Sequence, residues 1–245
     1  MSFKKWKNYF ESNQNHFDWL RLDGNRELNE AEKNLICKSI QQFQKGENSE
    51  GKNLFRNSLQ MNDDDYTEAI KLFIREEQRH AKALGDFMER EGIPKIKHHW
   101  VDGVFRGLRK MAGLETSVAV LLTAEIISAV FYKALMKATT STSLRKICIQ
   151  ILKDEEMHLQ FQSFALGNLY AGNNAIEKMM LRVFKNILMK GTIAVVWITQ
   201  RKVLTGGDYT LASFYAETMS VFKRTDEMML AVSLSGKTAA GYFGI

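Results

Sequence analysis

The chain has 245 residues, 45% of them hydrophobic and 25% charged, with a formal net charge of +6. That balance excludes a disordered chain and allows one domain with a large core. The positive charge could favour an acidic partner but is modest for this length, and no nucleic acid is expected. A single proline, Pro94, and few alternating apolar–polar runs predict long helices. No charged-then-apolar leader is seen, and the two distant cysteines, Cys37 and Cys148, fit reduced core thiols, so a cytoplasmic protein is expected.

In chain order, residues 1–28 mix Lys4, Lys5 and Lys7 with Trp6, Phe10, Phe17 and Trp19, which predicts an N-terminal arm or short helix lying across a bundle. A first long helix starts near Asn29, a capping residue followed by Glu30 and Glu32, and runs past Glu47 to about Ser58. Its inward positions read Ile36, Ile40, Phe43, Glu47, Gly51 and Leu54, so a glutamate stands where the 3-4 spacing demands an apolar residue. After a turn at 61–65, a second helix carries Ile70, Phe73, Glu77, His80, Leu84 and Phe87 inward and is closed by Gly92 and Pro94. Residues 95–114 read as a basic amphipathic crossover, able either to dock an acidic carrier or simply to face solvent.

A third helix, over 116–138, is almost wholly apolar around Glu125. No integral membrane span is expected from it, because Glu125 would sit at the centre of the span at considerable cost. A fourth helix, over 144–170, carries Glu155 and His158. Two further helices follow at 175–204 and 210–230, separated by Gly206 and Gly207 and capped by Asp208, and 233–245 reads as a loose tail. The domain scheme is therefore one all-α unit: arm 1–28, four-helix core 29–170, extra helices 171–232 and the tail.

Two segments carry chemistry. Glu77–His80 and Glu155–His158 both read Glu-x-x-His, which places a carboxylate and an imidazole on one helix face. One such match is expected at roughly 0.4 per chain of this composition, so a single one decides nothing. Thirty residues before each motif, however, stands another glutamate, Glu47 before Glu77 and Glu125 before Glu155. A helical hairpin of that length returns to its starting level, so each 34-residue unit brings its lone glutamate beside its motif. Two such hairpins converge four carboxylates and two imidazoles. Buried carboxylates need compensation, and no Lys or Arg follows the inward spacing near any of the four. Two divalent cations would supply it. Carboxylate oxygens with one imidazole per ion suit iron or manganese better than structural zinc.

This pattern resembles the ferritin-like diiron-carboxylate superfamily, over roughly residues 29–170. The resemblance implies a ferritin-like four-helix bundle with a long crossover and additional C-terminal helices. It implies two Fe ions, or a mixed Mn/Fe pair, with Glu47, Glu77 and His80 on one, Glu125, Glu155 and His158 on the other, and Glu77 and Glu155 bridging. Glu76 and Asp154 resemble the carboxylates that, in several members, accept the free imidazole N–H of a ligand histidine. The symmetric two-histidine set resembles the oxygen-activating branch: soluble acyl desaturases, bacterial monooxygenases and aldehyde-deformylating oxygenases.

The function so implied is a non-haem oxidase or oxygenase. It would use O₂, an electron donor and an apolar small-molecule or carrier-bound acyl substrate. The alternative is a ferroxidase that handles iron without an organic substrate. A homodimer is compatible with either. Tyr132, two turns after Glu125, is a candidate redox neighbour or a core tyrosine. Gly51, Ala81, Ser128 and Ala129 either leave room for a substrate or allow close packing. Met179, Met180, Met189, Trp197, Phe214, Tyr215 and Met219 are the candidate lining of an apolar pocket, or core.

Overall fold

The computed structural model describes residues 2–22, 24–48, 51–96 and 113–235. Among these the chain is helical throughout, with no strand: α1 Phe3–Ser12, α2 Glu30–Glu47, α3 Lys52–Ser58, a 3₁₀ turn at Leu59–Met61, α4 Asp64–Glu91, α5 Leu114–Ala138, α6 Thr142–Ala171, α7 Ala175–Gly206 and α8 Leu211–Ser235. The helix starts follow local chemistry. Asn29, Asp63, Ser141 and Asn174 each accept a backbone N–H of the first turn with a side-chain oxygen. Gly92, in the left-handed region at φ 67°, closes α4 as the sequence predicts.

Two boundaries differ from expectation. The first long helix does not run unbroken to Ser58. It stops at Glu47 and restarts at Lys52 from Gly51, whose φ of 62° is incompatible with a continuing helix. A Cβ at Gly51 would lie 2.4 Å from Ile74 Cδ1, so this glycine serves close packing rather than open space. Asp208 does not cap α8. It takes the left-handed turn itself, at φ 67°, while Thr210 Oγ1 accepts the Ser213 N–H and Ser213 Oγ accepts the Thr210 N–H.

Packing closes a ring of four: α2 against α4, α4 against α6, α6 against α5, and α5 back against α2 and α3. This is an all-α bundle, and its ring is compatible with a ferritin-like fold. The crossover expected at 95–114 falls mostly at 97–112, outside the described residues, as does the tail beyond 235.

Helices α7 and α8 cover the ring, α7 packing on α5 and α2, and α8 on α6 and α5. That double cover explains why α5 lacks a polar face. It is the one described helix long and apolar enough to cross a membrane, and 83% of its most apolar window is buried inside the protein. Where α6 crosses α8, a Cβ at Gly167 would stand 2.7 Å from the Met229 carbonyl oxygen and 2.7 Å from Val232 Cβ, so the two backbones approach as only glycine permits.

One end of the bundle is tied by carboxylates. Glu32 accepts from the Thr139 and Thr140 hydroxyls and the Thr140 N–H, and Glu27 accepts from the Ser141 and Ser143 hydroxyls and the Ser143 N–H. These six bonds fix the turn between α5 and α6 to the start of α2 and the residues just before it.

Candidate metal centre

Each of the four ring helices contributes, three of them from their middle turns and α2 from its last residue. Glu47 ends α2, Glu77 and His80 lie on α4, Glu125 on α5, and Glu155 and His158 on α6. All are buried except Glu77, which keeps 15% of its side chain accessible deep in the bundle. Ligand-type atoms of Glu47, Glu77 and His80 lie within 4.8 Å of one another, and so do those of Glu77, Glu125, Glu155 and His158. Glu77 therefore belongs to both groups, its Oε1 lying 3.5 Å from His80 Nδ1 and 3.1 Å from His158 Nδ1. Glu155 belongs to the second group alone, with Glu77, Glu125 and His158. The imidazole centroids are 5.6 Å apart.

The outer nitrogens of the two rings fix their orientation. His80 Nε2 lies 3.1 Å from Asp154 Oδ2, and His158 Nε2 lies 2.9 Å from Glu76 Oε1. A carboxylate can only accept, so Nε2 carries the proton in both and Nδ1 is turned inward. The pairing is crossed. Asp154 on α6 holds the histidine of α4, and Glu76 on α4 holds the histidine of α6.

The inward atoms have nothing comparable. Glu77 Oε1, both oxygens of Glu155, His80 Nδ1 and His158 Nδ1 are buried without a hydrogen-bond partner. Among the described residues, the ion-pair partners of these carboxylates are the two histidines alone.

Their proton affinities carry the strain. Burial, then the Glu77 charge, pushes Glu47 well above the carboxylate range, and burial with Glu77 and Glu155 does the same to Glu125. Glu77 moves the other way: its burial, which would raise it, is outweighed by the closeness of the His158 and His80 imidazoles. Both histidines are raised, against the effect of burial, by the carboxylates around them. Buried carboxylate oxygens and inward imidazole nitrogens without a hydrogen-bond partner, around a shared carboxylate, are the donor set that hard divalent cations satisfy.

Tyr132 on α5 donates its buried hydroxyl to Glu47 Oε1 at 2.7 Å, and burial followed by the Glu47 charge raises its pKa well above the ordinary tyrosine value. Ala81 and Ala129 are buried, and Ser128 is half-buried.

The expected pocket lining does not assemble. Met179, Met180 and Tyr215 are 60%, 63% and 42% exposed on the outside of α7 and α8, while Met189 and Phe214 are core. The reason is that α7 is apolar on two faces, and its methionines at 179 and 180 lie on the outer one. Glu156 pairs with Arg224 at the surface at 2.7 Å and takes no part in the centre.

The sequence reading missed the back of the centre. Residues after α1 turn inward, so that Asn13 Nδ2 donates to both Glu76 Oε2 (2.9 Å) and Asp154 Oδ1 (3.0 Å). His16 Nδ1 donates to the Asn13 carbonyl, and the ring sits 3.7 Å from each carboxylate. Burial lowers the His16 pKa against the pull of Asp154 and Glu76. Its nearness to the ring of His80 gives a further group, His16, His80 and Asp154, that could hold a cation. The usable signal was that His16 is one of only three histidines outside the basic connection.

Phe10 of α1 packs on Phe161 (5.2 Å) and Phe73 (6.2 Å), and Phe73 packs edge-on to His158 at 4.7 Å. Gln162 was also missed. It follows His158 by one turn on the same face of α6, fully buried, with neither amide atom hydrogen-bonded.

The fold and centre together define an all-α protein with buried carboxylate–histidine groups that could hold metal, compatible with a ferritin-like arrangement. Compared with protein-family models, with curated proteins and with solved structures, the chain matches none.

Proposed function

We propose that this chain is a dinuclear-iron oxidoreductase that uses O₂ to oxidise an apolar substrate. Glu47, Glu77 and His80 would hold one ion and Glu125, Glu155 and His158 the other, with Glu77 shared. Manganese in place of one iron suits the same donors. The observation that carries the reading is the set of inward ligand atoms left without partners while both imidazoles are anchored from behind. Bound iron supplies the one-electron steps that O₂ reduction requires, and an external electron donor must supply the electrons.

The chain's own residues set the conditions. Asp154 and Glu76 hold the imidazole Nδ1 lone pairs inward. Tyr132 keeps a proton within 2.7 Å of Glu47. Phe10, Phe73 and Phe161 exclude water on the α1 side. The free amide of Gln162 offers a donor and an acceptor to the polar end of a substrate, and the apolar wall of α5 suits the remainder. With Met179, Met180 and Tyr215 on the outside, the acyl-chain assignment loses their support, and the substrate is defined only as apolar.

The test is anaerobic reconstitution with ferrous iron, metal analysis, then O₂ uptake with and without candidate apolar substrates and a reductant. Two irons per chain and substrate-stimulated uptake are expected. Two irons with uptake fixed by the iron alone would instead establish a ferroxidase. Substoichiometric metal would remove both readings.

A further inference from the structure

Helix α7 presents two apolar faces. One, with Leu181, Met189, Val196 and Val203, is buried against the bundle. On the opposite side run Ile176, Met180, Val183, Ile187, Gly191, Ala194 and Ile198, all exposed. On an ideal helix these seven fall within about 40° either side of Ile187. Their spacing is 4-3-4 from Ile176 to Ile187 and 4-3-4 again to Ile198. Two blocks of 11 residues nearly match the helical repeat, so the stripe stays straight over about 33 Å.

The stripe is also a palindrome centred on Ile187. We propose that α7 is the interface of a two-fold homodimer, in which it packs antiparallel against α7 of a second copy with Ile187 meeting Ile187 on the axis. In that register Val183 faces Gly191, Met180 faces Ala194 and Ile176 faces Ile198. Each larger residue of the inner pairs meets a small one, as interdigitated packing requires. Gly191 has nothing within 4 Å of a built Cβ, so the space opposite Val183 is open in the single chain. A parallel pairing would set Gly191 against Gly191 and Ala194 against Ala194 and leave a gap.

On one flank the antiparallel register brings exposed Met179 within two residues, about 3 Å, of the level of half-buried Trp197 of the second copy. A two-fold contact needs a surface that is complementary to itself, and this stripe meets that condition in sequence. The six large residues Ile176, Met179, Met180, Val183, Ile187 and Ile198 are 51–77% exposed. They offer about 700 Å² per chain, against about 800 Å² per partner in an interface of standard size. Opposed helix dipoles favour the same orientation.

Sedimentation equilibrium on the full chain is expected to give twice 28.1 kDa. Ile187→Lys places two ammonium groups on the axis and should weaken dimerisation by at least about a hundredfold. Because Ile187 is 67% exposed in the single chain, the helical circular-dichroism signal should be unchanged. Under mild oxidation Ile187→Cys should cross-link two copies, whereas Met180→Cys, facing Ala194, should not. The wild-type chain serves as the control for Cys37 and Cys148. A monomeric wild type overturns the proposal, whether the stripe is then covered by the chain's own segment 97–112 or binds lipid vesicles. So does a dimer indifferent to Ile187→Lys, or equal cross-linking through both cysteine variants, the mark of a parallel pair.

Discussion

Replacing Asp154 with Asn changes no volume and removes one charge, yet the geometry makes it a severe change for one metal position. Asp154 Oδ1 accepts from two amides, Asn13 Nδ2 and Gln150 Nε2, each at 3.0 Å, while Oδ2 accepts from His80 Nε2 alone. An asparagine must turn its NH₂ toward one side or the other. Fewest donors clash if its oxygen keeps the two amides and its NH₂ meets His80. The imidazole then satisfies that NH₂ by moving its own proton to Nδ1, the nitrogen aimed at the centre.

Binding an ion at His80 now requires the proton to return and a buried donor to face a donor. Such an unmade bond costs about 1–3 kcal/mol, or about 5- to 150-fold in dissociation constant. Glu76→Gln should do less to His158, because only Asn13 competes for its other oxygen. Anaerobic titration with ferrous iron against a competing chelator should show one of two ions weakened in Asp154→Asn and a smaller loss in Glu76→Gln. If Asp154→Asn binds both ions as tightly as the wild type, the crossed anchoring of the imidazoles has no role in ligation.

Acid stability should report the tie at the end of the bundle. Burial would raise the Glu27 pKa, but the Ser141 and Ser143 hydroxyls, the Ser143 N–H and Arg90 lower it to about 2, and Glu32 is lowered by Thr139 and Thr140. A depressed carboxylate stabilises the fold above its unfolded pKa and loses that contribution as pH falls through the folded one. Between about pH 5 and pH 2, Glu27→Gln should therefore remove part of the pH dependence of denaturant unfolding, about 1 kcal/mol once its exposure is discounted. A variant with the wild-type slope refutes the assignment.

Tyr132→Phe leaves Glu47 Oε1 without its donor and should destabilise the metal-free chain by about 1–3 kcal/mol, and the metal-loaded chain by less, in paired denaturation experiments. Equal losses in the two states would mean that Glu47 is not a ligand. Gly167→Ala drives a methyl into the Met229 carbonyl and Val232 and should cost about 1–3 kcal/mol. Unchanged thermal stability would show that α6 and α8 do not cross so closely.

The ring and its six inward residues were legible because helical periodicity converts sequence spacing directly into position. Thirty residues between lone glutamate and motif is a length, and lengths survive local detail. The break at Gly51 was not read, although Asn48 and Gly51 carry the signal, because the 3-4 pattern through Ile40, Glu47 and Leu54 continues across it. The α7 methionines were misplaced for a related reason. Periodicity shows that a helix has apolar faces, and only the packing of α5 and α2 shows which face is covered. Asn13 and His16 depend on a turn folding back across sixty or more residues of sequence to Glu76, a contact that no local pattern encodes.

The crossed carboxylates also decide what each half of the centre could do alone. Neither 34-residue hairpin can orient its own histidine, since each borrows the acceptor for that ring from the other. A lone hairpin would thus be an incomplete coordination module, and the least association that completes it is a pair of identical hairpins, each lending what the other lacks. In the present chain that reciprocity is internal, and Glu76 in one half and Asp154 in the other perform the same task with side chains of different length.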